Sequence, residues 1–318
     1  MMSMTTSKIF LTGVTGFIGS HLVEKLVDDY EVVCLVPSSD LGSKKIHKDV
    51  EIKFGDLTNY SEIQKIVREI SPNMIVHLAA VTPVRYSFEQ HEIYQHVNYL
   101  GTVNLVHAAL QLSSFEKFIF ASTMEVYGWQ TQRKPFTEDI ELNPASPYSV
   151  SKLAAEKYIR MAGKAYNLPF IALRPCNTYG RKFDTGFIVE YLITTMLKNE
   201  TVYVGSSDAV RDLMYVPDHV NAYIKCIKSN VSSGVFNFGL GSEVTMGELA
   251  SKIKDMIGFD GEIVHTYPPD YPSRPVIDPY LSLDASKARD TLGWKPKYSL
   301  NDGLKETIKY WKEKLLKG

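Results

Sequence analysis

More than half of this chain is an alternation of two kinds of segment. From residue 8 to about residue 175, short apolar or β-branched runs alternate with longer segments whose apolar residues recur every three or four positions. The runs are Ile9–Leu11, Val32–Val36, Ile52–Phe54, Met74–Leu78, Phe118–Ser122 and Phe170–Arg174. Between them, Ile18, Leu22, Val23, Leu26 and Val27 form one helical stripe, and Ile63, Ile66, Val67 and Ile70 form another. Parallel strands need crossovers of this length. The alternation therefore predicts an α/β fold, a doubly wound parallel sheet of six strands whose ligand crevice lies at their carboxyl ends.

After about residue 178 the spacing becomes irregular, with a helix-like stretch at Ile188–Leu197, a short strand near Val202–Val204 and scattered Gly and Pro. A length of 318 residues suits two medium domains. These are expected at 1–178 and 179–318, the second smaller and mixed α/β, with a segment near 210–240 a candidate to return to the first. With 44% apolar and 22% charged residues, the chain can bury a core without metals or disulfides. A net charge of -1 leaves no broad footprint for nucleic acid or an anionic membrane. Cys34, Cys176 and Cys226 are too few and too scattered for a disulfide framework, and nowhere do 18 consecutive apolar residues occur. The expectation is a soluble cytoplasmic protein.

Directly after the first run comes Thr12-Gly13-Val14-Thr15-Gly16-Phe17-Ile18-Gly19, which opens the first amphipathic helix. Gly13, Gly16 and Gly19 let the backbone turn sharply and approach a pyrophosphate, whose charge is favoured by free N–H groups and the helix dipole. Strand, glycine turn and helix in this order predict an NAD(P)-binding Rossmann domain, with Thr15, Phe17 and Ile18 on the same turn. A NAD site usually places a carboxylate after the second strand. Here that position reads Val36-Pro37-Ser38-Ser39, and Ser38 and Ser39, with Lys44 or Lys45 nearby, suit the 2′-phosphate of NADP better. Asp56-Leu57, after the third run, is either an adenine contact or a plain turn.

Tyr148 and Lys152 stand one helical turn apart on one face. The spacing alone proves little, since Tyr310 and Lys314 repeat it in the terminal helix. The first pair differs because it follows Ser122-Thr123-Met124-Glu125, at the strand edge where the crevice is expected. A phenol with a pKa near 10 needs about three units, or roughly 4 kcal/mol, to ionise near neutral pH. Lys152 and a positive nicotinamide are the expected sources. Tyr148 would then take a hydroxyl proton while hydride leaves the same carbon, with Thr123 sharing the hydrogen bond.

Together, the TGVTGFIG loop, Tyr148 with Lys152, and STMEVYG at 122–128 resemble the extended short-chain dehydrogenase/reductases that modify nucleotide sugars. His77-Leu78-Ala79-Ala80, Asn98, Arg174-Pro175, Asn177-Thr178-Tyr179-Gly180, Arg211-Asp212 and Leu292-Gly293-Trp294-Lys295-Pro296 follow in the family's usual order. The resemblance implies a catalytic Thr123, Tyr148 and Lys152, cofactor contacts from Leu78, Ala79 and Ala80, and Asn98 bracing the lysine. It also implies that Asn177, Arg211 and Arg274 hold a nucleotide diphosphate, for which the forked guanidinium donors of the two arginines match the oxygens. Thr82 and Arg85, after the fourth run, are candidates for the sugar pocket.

Glu125 bears on the reaction. Relatives that only epimerise C4 commonly carry a small or neutral residue there, whereas 4,6-dehydratases and sugar-acid decarboxylases usually carry glutamate. Once C4 is a ketone, a carboxylate can remove the acidified C5 proton as the C6 hydroxyl departs. The dTDP-glucose dehydratases usually carry Asp-Glu, but here position 124 is Met. Thr-x-Glu therefore suggests a GDP-mannose-like NDP-hexose 4,6-dehydratase first, then a UDP-glucose-type 4-epimerase, then a 4-keto-6-deoxy-sugar reductase or UDP-glucuronate decarboxylase. A non-catalytic dinucleotide sensor fits poorly with all three catalytic positions filled. His91 to His96 has one residue too many for a zinc HExxH, its imidazoles roughly 140° apart on an ideal helix, so no metal is expected. Relatives often form homodimers through two helices per subunit, here the segments 97–109 and 148–166.

Overall fold

The computed structural model of the protein describes residues 7–40, 46–268 and 280–317. It divides into two compact units. The first takes the described residues up to Val126, then Pro144–Arg174 and Val220–Phe236; the second takes Tyr127–Asn143, Pro175–His219 and the described residues from Asn237 onward.

In the first unit the six expected runs form β1 (Lys8–Thr12), β2 (Glu31–Val36), β3 (Glu51–Phe54), β4 (Met74–His77), β5 (Lys117–Ala121) and β6 (Phe170–Pro175). Their spatial order is β3-β2-β1-β4-β5-β6, and every neighbouring pair is parallel. A seventh strand, Ser233–Phe238, lies beside β6. Gly234 and Asn237 interrupt its apolar pattern, which is why periodicity does not find it. The chain fills one side of β1 and then crosses to the other with β4. The loops leaving β1 and β4 therefore part at a switch point, where such sheets bind ligands.

The helices follow the stripes. α1 (Phe17–Leu26) buries Leu22, Val23 and Leu26, and α2 (Tyr60–Ile70) buries Ile63, Ile66, Val67 and Ile70. Asn59 caps α2, its side chain accepting the Glu62 amide at 3.2 Å. The α2 stripe joins Phe10, Ile75, Phe118 and Phe120 of the sheet in one core. The next helical stretch changes gauge: α3 (His91–Tyr94) runs into a π-helical segment, Gln95–Leu100, and then into α4 (Gly101–Ala109). The 100° step assumed for His91 and His96 does not hold across that wider turn. α5 (Pro147–Tyr166) starts at a sharp boundary, with Pro147 in its first turn and Ser146 and Ser149 each accepting the other's amide, at 3.0 and 3.1 Å. That start fixes where Tyr148 enters the helix.

The second unit is built on a four-stranded mixed sheet. Val210–Tyr215 pairs parallel to Asn177–Tyr179 and Tyr280–Leu281, and antiparallel to Glu243–Thr245. α6 (Ile188–Leu197) matches the expected helix, and Val189, Leu192 and Ile193 on it pack with Leu249, Ile253, Leu304 and Trp311. Val202–Tyr203 forms a short strand paired with Ile263–Val264. Among the described residues, no helix is long and apolar enough to cross a membrane.

Candidate active site

The loop after β1 is shaped by two glycines. Gly13 has φ +78°, and a Cβ there would stand 2.6 Å from the Ala79 amide nitrogen. A Cβ on Gly19 would come within 2.1 Å of the Gly13 carbonyl oxygen. No larger residue fits either place, so the loop lies flat against both the exit of β4 and the start of α1. Gly16, the exposed N-cap of α1, brings no side-chain acceptor to the first-turn amides. Those amides and the positive end of the helix dipole suit a dinucleotide pyrophosphate. Thr15, Phe17 and Ile18 are half-buried on the same turn, as are Leu78, Ala79 and Ala80 facing it from β4.

Behind this loop runs a chain of hydrogen bonds whose direction the chemistry fixes. The Thr102 hydroxyl donates to the Asn98 carbonyl at 2.6 Å, so it accepts at its 2.9 Å contact with His77 Nε2. His77 therefore carries its proton on Nε2, and its Nδ1 accepts from Thr12 Oγ1 at 2.7 Å. Thr12 Oγ1 in turn accepts the Ala79 amide at 3.2 Å. Asn98 is fully buried and continues the link: its Oδ1 accepts the Val81 amide at 2.7 Å, and its Nδ2 donates to Ser151 Oγ at 3.1 Å. Asn98 thus ties the β4 loop to α5 at the residue before Lys152.

Tyr148 and Lys152 occupy the first turns of α5. Lys152 is 2% exposed, with its ammonium 4.3 Å from the centre of the Phe120 ring. Tyr148 is hydrogen-bonded to Thr123, and Tyr94 stands edge-on to its ring at 6.2 Å. Glu125, half-buried in a short 3-10 turn (Met124–Val126), is close enough to act on the phenol electrostatically. Thr123 Oγ1 accepts the Glu125 amide at 3.2 Å. Met124 is buried in the core and offers no proton.

Burial, reinforced by the Glu125 carboxylate, raises the Tyr148 pKa, against the Thr123 hydrogen bond. Burial pushes Lys152 down to about 7, against the pull of Glu156. Desolvation is the largest cause in both groups, disfavouring the phenolate of Tyr148 and the ammonium of Lys152 alike.

The other candidates fall in different places. Ser38 and Ser39 are exposed in a short 3-10 turn after β2. Asp56 is an exposed turn residue whose Oδ1 accepts the Thr58 amide at 2.8 Å, while Leu57 is buried and its carbonyl accepts from Asn104 at 2.8 Å. Thr82 is exposed, and Arg85 is half-buried with its guanidinium 4.6 Å over the Tyr86 ring. In the second unit, Asn177 is exposed and Arg211 is half-buried, donating to the Val210 carbonyl at 2.7 Å. Arg274, Lys44 and Lys45 lie outside the described residues. Tyr310 and Lys314, the second pair with this spacing, both donate to the Lys182 carbonyl. Sequence reasoning gave no role to His77, Phe120, Ser151 or Glu156; only the spacing of Glu156, one turn after Lys152, was there to be seen.

A family model described as GDP-mannose 4,6 dehydratase matches residues 10–307. The chain is 31% identical over 310 residues to the putative UDP-glucose 4-epimerase of Methanocaldococcus jannaschii, covering 96% of this chain and 98% of that one. Its fold is similar to the crystal structure of UDP-glucose 4-epimerase with UDP-glucose from Thermotoga maritima, at TM-score 0.88 and 31% identity, over 97% of this chain and 99% of that one. It is also similar to Thermus thermophilus UDP-glucose 4-epimerase in complex with NAD, at TM-score 0.85 and 31% identity, over 96% and 99%.

Proposed function

Because the chain belongs to the extended short-chain dehydrogenase/reductase family of nucleotide-sugar epimerases and dehydratases, we propose that it is an NAD(P)-dependent UDP-sugar 4-epimerase of the UDP-glucose type. The observation that carries C4 oxidation is the cluster in which Tyr148, half-buried and bonded to Thr123, stands one turn before the buried Lys152. Likeness to UDP-glucose 4-epimerases over nearly the whole chain then supports the epimerase over the dehydratase that the sequence put first.

The bound dinucleotide would take hydride from C4 and return it, and its positive nicotinamide would favour the tyrosine phenolate. Tyr148 removes the C4 hydroxyl proton, and Thr123 hydrogen-bonds the same oxygen. Lys152 stabilises the phenolate by its charge. When the 4-ketose presents its other face, Tyr148 returns the proton to the inverted alcohol. Atoms and redox state are then unchanged overall. Residues 1–178 are proposed to hold the dinucleotide and 179–318 most of the sugar-nucleotide site, with Arg211 and, from just before that boundary, Asn177 on the diphosphate.

Two finer points go with this proposal. Ser38 and Ser39, with no carboxylate at the end of β2, support NADP, while the NAD complex of the Thermus relative supports NAD; titrating both dinucleotides decides between them. Leu100, Val150 and Met161, about two-fifths exposed on the π segment and α5, support a homodimer, which sedimentation tests.

The 4,6-dehydratase remains as a second proposal on one observation: Glu125 stands beside Tyr148 and Thr123, where a C5 base is needed. Incubation with UDP-glucose and either dinucleotide separates the two. An isomer of unchanged mass supports the epimerase, and a product lighter by one water supports the dehydratase.

A further inference from the structure

One turn beyond Lys152, α5 carries a fully buried carboxylate, Glu156. Three donors hold it. Ser122 Oγ donates to Oε2 at 2.7 Å, Arg174 Nε donates to Oε2 at 3.0 Å, and Arg174 Nη2 donates to Oε1 at 2.5 Å. Arg174 comes from β6 and is 1% exposed; Ser122 immediately precedes Thr123. Replacing such a buried ion pair by apolar residues of like volume is often neutral or stabilising, so stability alone is a poor reason for its presence.

The position supplies a better one. Residues four apart on a helix share a face, so Tyr148, Lys152 and Glu156 form one line along α5. We propose that Glu156 is a positioning residue for the Tyr148–Lys152 pair: clamped by Arg174 and Ser122, it holds the Lys152 ammonium in register and pins the Thr123 strand end to α5. This rests on Tyr148 and Lys152 being the proton-handling pair.

The surroundings of Lys152 leave that task to Glu156. Along α5, Lys152 has Tyr148 on one side and Glu156 on the other; from the sheet it meets the Phe120 ring of β5 and His77 of β4. His77 is neutral, held by Thr12 and Thr102. Arg174, from β6, is already engaged by both oxygens of Glu156. Of these neighbours, Glu156 is the anion that offsets the cost of burying the ammonium, and it raises the Lys152 pKa accordingly.

Glu156→Gln in the full chain with dinucleotide bound tests the charge. Removing a buried negative charge favours deprotonation of both Lys152 and Tyr148, so the whole pH profile of kcat/KM should move to lower pH by about one unit. The expected kcat loss at pH 8 is about tenfold, with KM for the sugar nucleotide within about twofold, because a positioning residue acts on the reacting pair and not on substrate binding. Glu156→Gln combined with Arg174→Met removes both charges and keeps the test open if the single variant unfolds; because the opposite charges leave together the profile should move less than in the single variant, while kcat still falls about tenfold through loss of the clamp. Ser122→Ala leaves both charges in place and tests the pinning: kcat should fall about threefold with the profile unmoved. A folded Glu156→Gln single variant with wild-type pH midpoints overturns the proposal, as does wild-type kcat in the double variant or in Ser122→Ala. Wild-type turnover in Tyr148→Phe would instead overturn the assignment of the pair on which it rests.

Discussion

Thr12 and His77, sixty-five positions apart in sequence, are partners on adjacent strands, and their side chains meet at 2.7 Å in a hydrogen bond that His77 Nδ1 accepts, its proton being held on Nε2 by Thr102. Burial, and then the charge of Lys152, push the His77 pKa down to about 3. An unfolded histidine titrates near 6.5. Between those values the unfolded chain binds a proton that the folded chain does not. Stability should therefore fall as pH drops from about 6.5 toward 3, by about 1 kcal/mol per pH unit for such a group. His219 in the second unit, also pushed down to about 3 by burial, adds with the same sign. Urea unfolding at several pH values checks this, with His77→Gln expected to flatten part of the slope. An imidazole of His77 titrating near 6.5 in the folded protein would contradict it.

Gly13→Ala should damage fold and cofactor binding together. The new methyl group meets the Ala79 backbone in a conformation with φ +78°. A cost of about 1–3 kcal/mol is expected from the backbone alone. Thermal unfolding and a dinucleotide titration read the two effects, with affinity expected to fall at least about tenfold, since the loop is the pyrophosphate seat. Wild-type affinity in this variant would remove the loop from the cofactor site.

Glu125→Gln separates two roles of one carboxylate. Glu125 raises the Tyr148 pKa, so the neutral amide should lower it and move the acid limb of the kcat/KM profile to lower pH. In a 4-epimerase, sugar exchange continues. Were the chain a 4,6-dehydratase, the variant would oxidise C4 and stop before water loss. A pH profile together with product mass distinguishes these outcomes.

The parts of the molecule written in local pattern were legible before the structure. The six runs and the glycine turn needed only period and order, and Tyr148 and Lys152 needed only their spacing after Thr123. What depends on distant contacts was not. Ser233–Phe238 is a strand because β6 offers it an edge, while Gly234 and Asn237 spoil its own pattern. The π turn at Gln95–Leu100 defeats the even helical step assumed for His91 and His96. The upward shift of Tyr148 comes from burial, which no spacing encodes. Glu156 and Arg174 are eighteen residues apart, and only the adjacency of α5 to the sheet joins them.

Tyr148→Phe should keep the helix start, since the Ser146–Ser149 cap does not involve the phenol. Dinucleotide affinity should stay within about threefold, and kcat should fall by about 100- to 10,000-fold, the usual range for losing a positioned acid–base group. Stopped-flow absorbance of the nicotinamide reads the first half-reaction directly. Wild-type hydride transfer would dismiss Tyr148 as the base.

Whether the protein is a 4-epimerase is decided by following UDP-glucose with the purified protein and added NAD or NADP, by chromatography coupled to mass spectrometry. A second UDP-hexose of the same mass, epimeric at C4, should appear and approach equilibrium from either sugar. A product lighter by one water would contradict that assignment and make Glu125 the base of a 4,6-dehydratase.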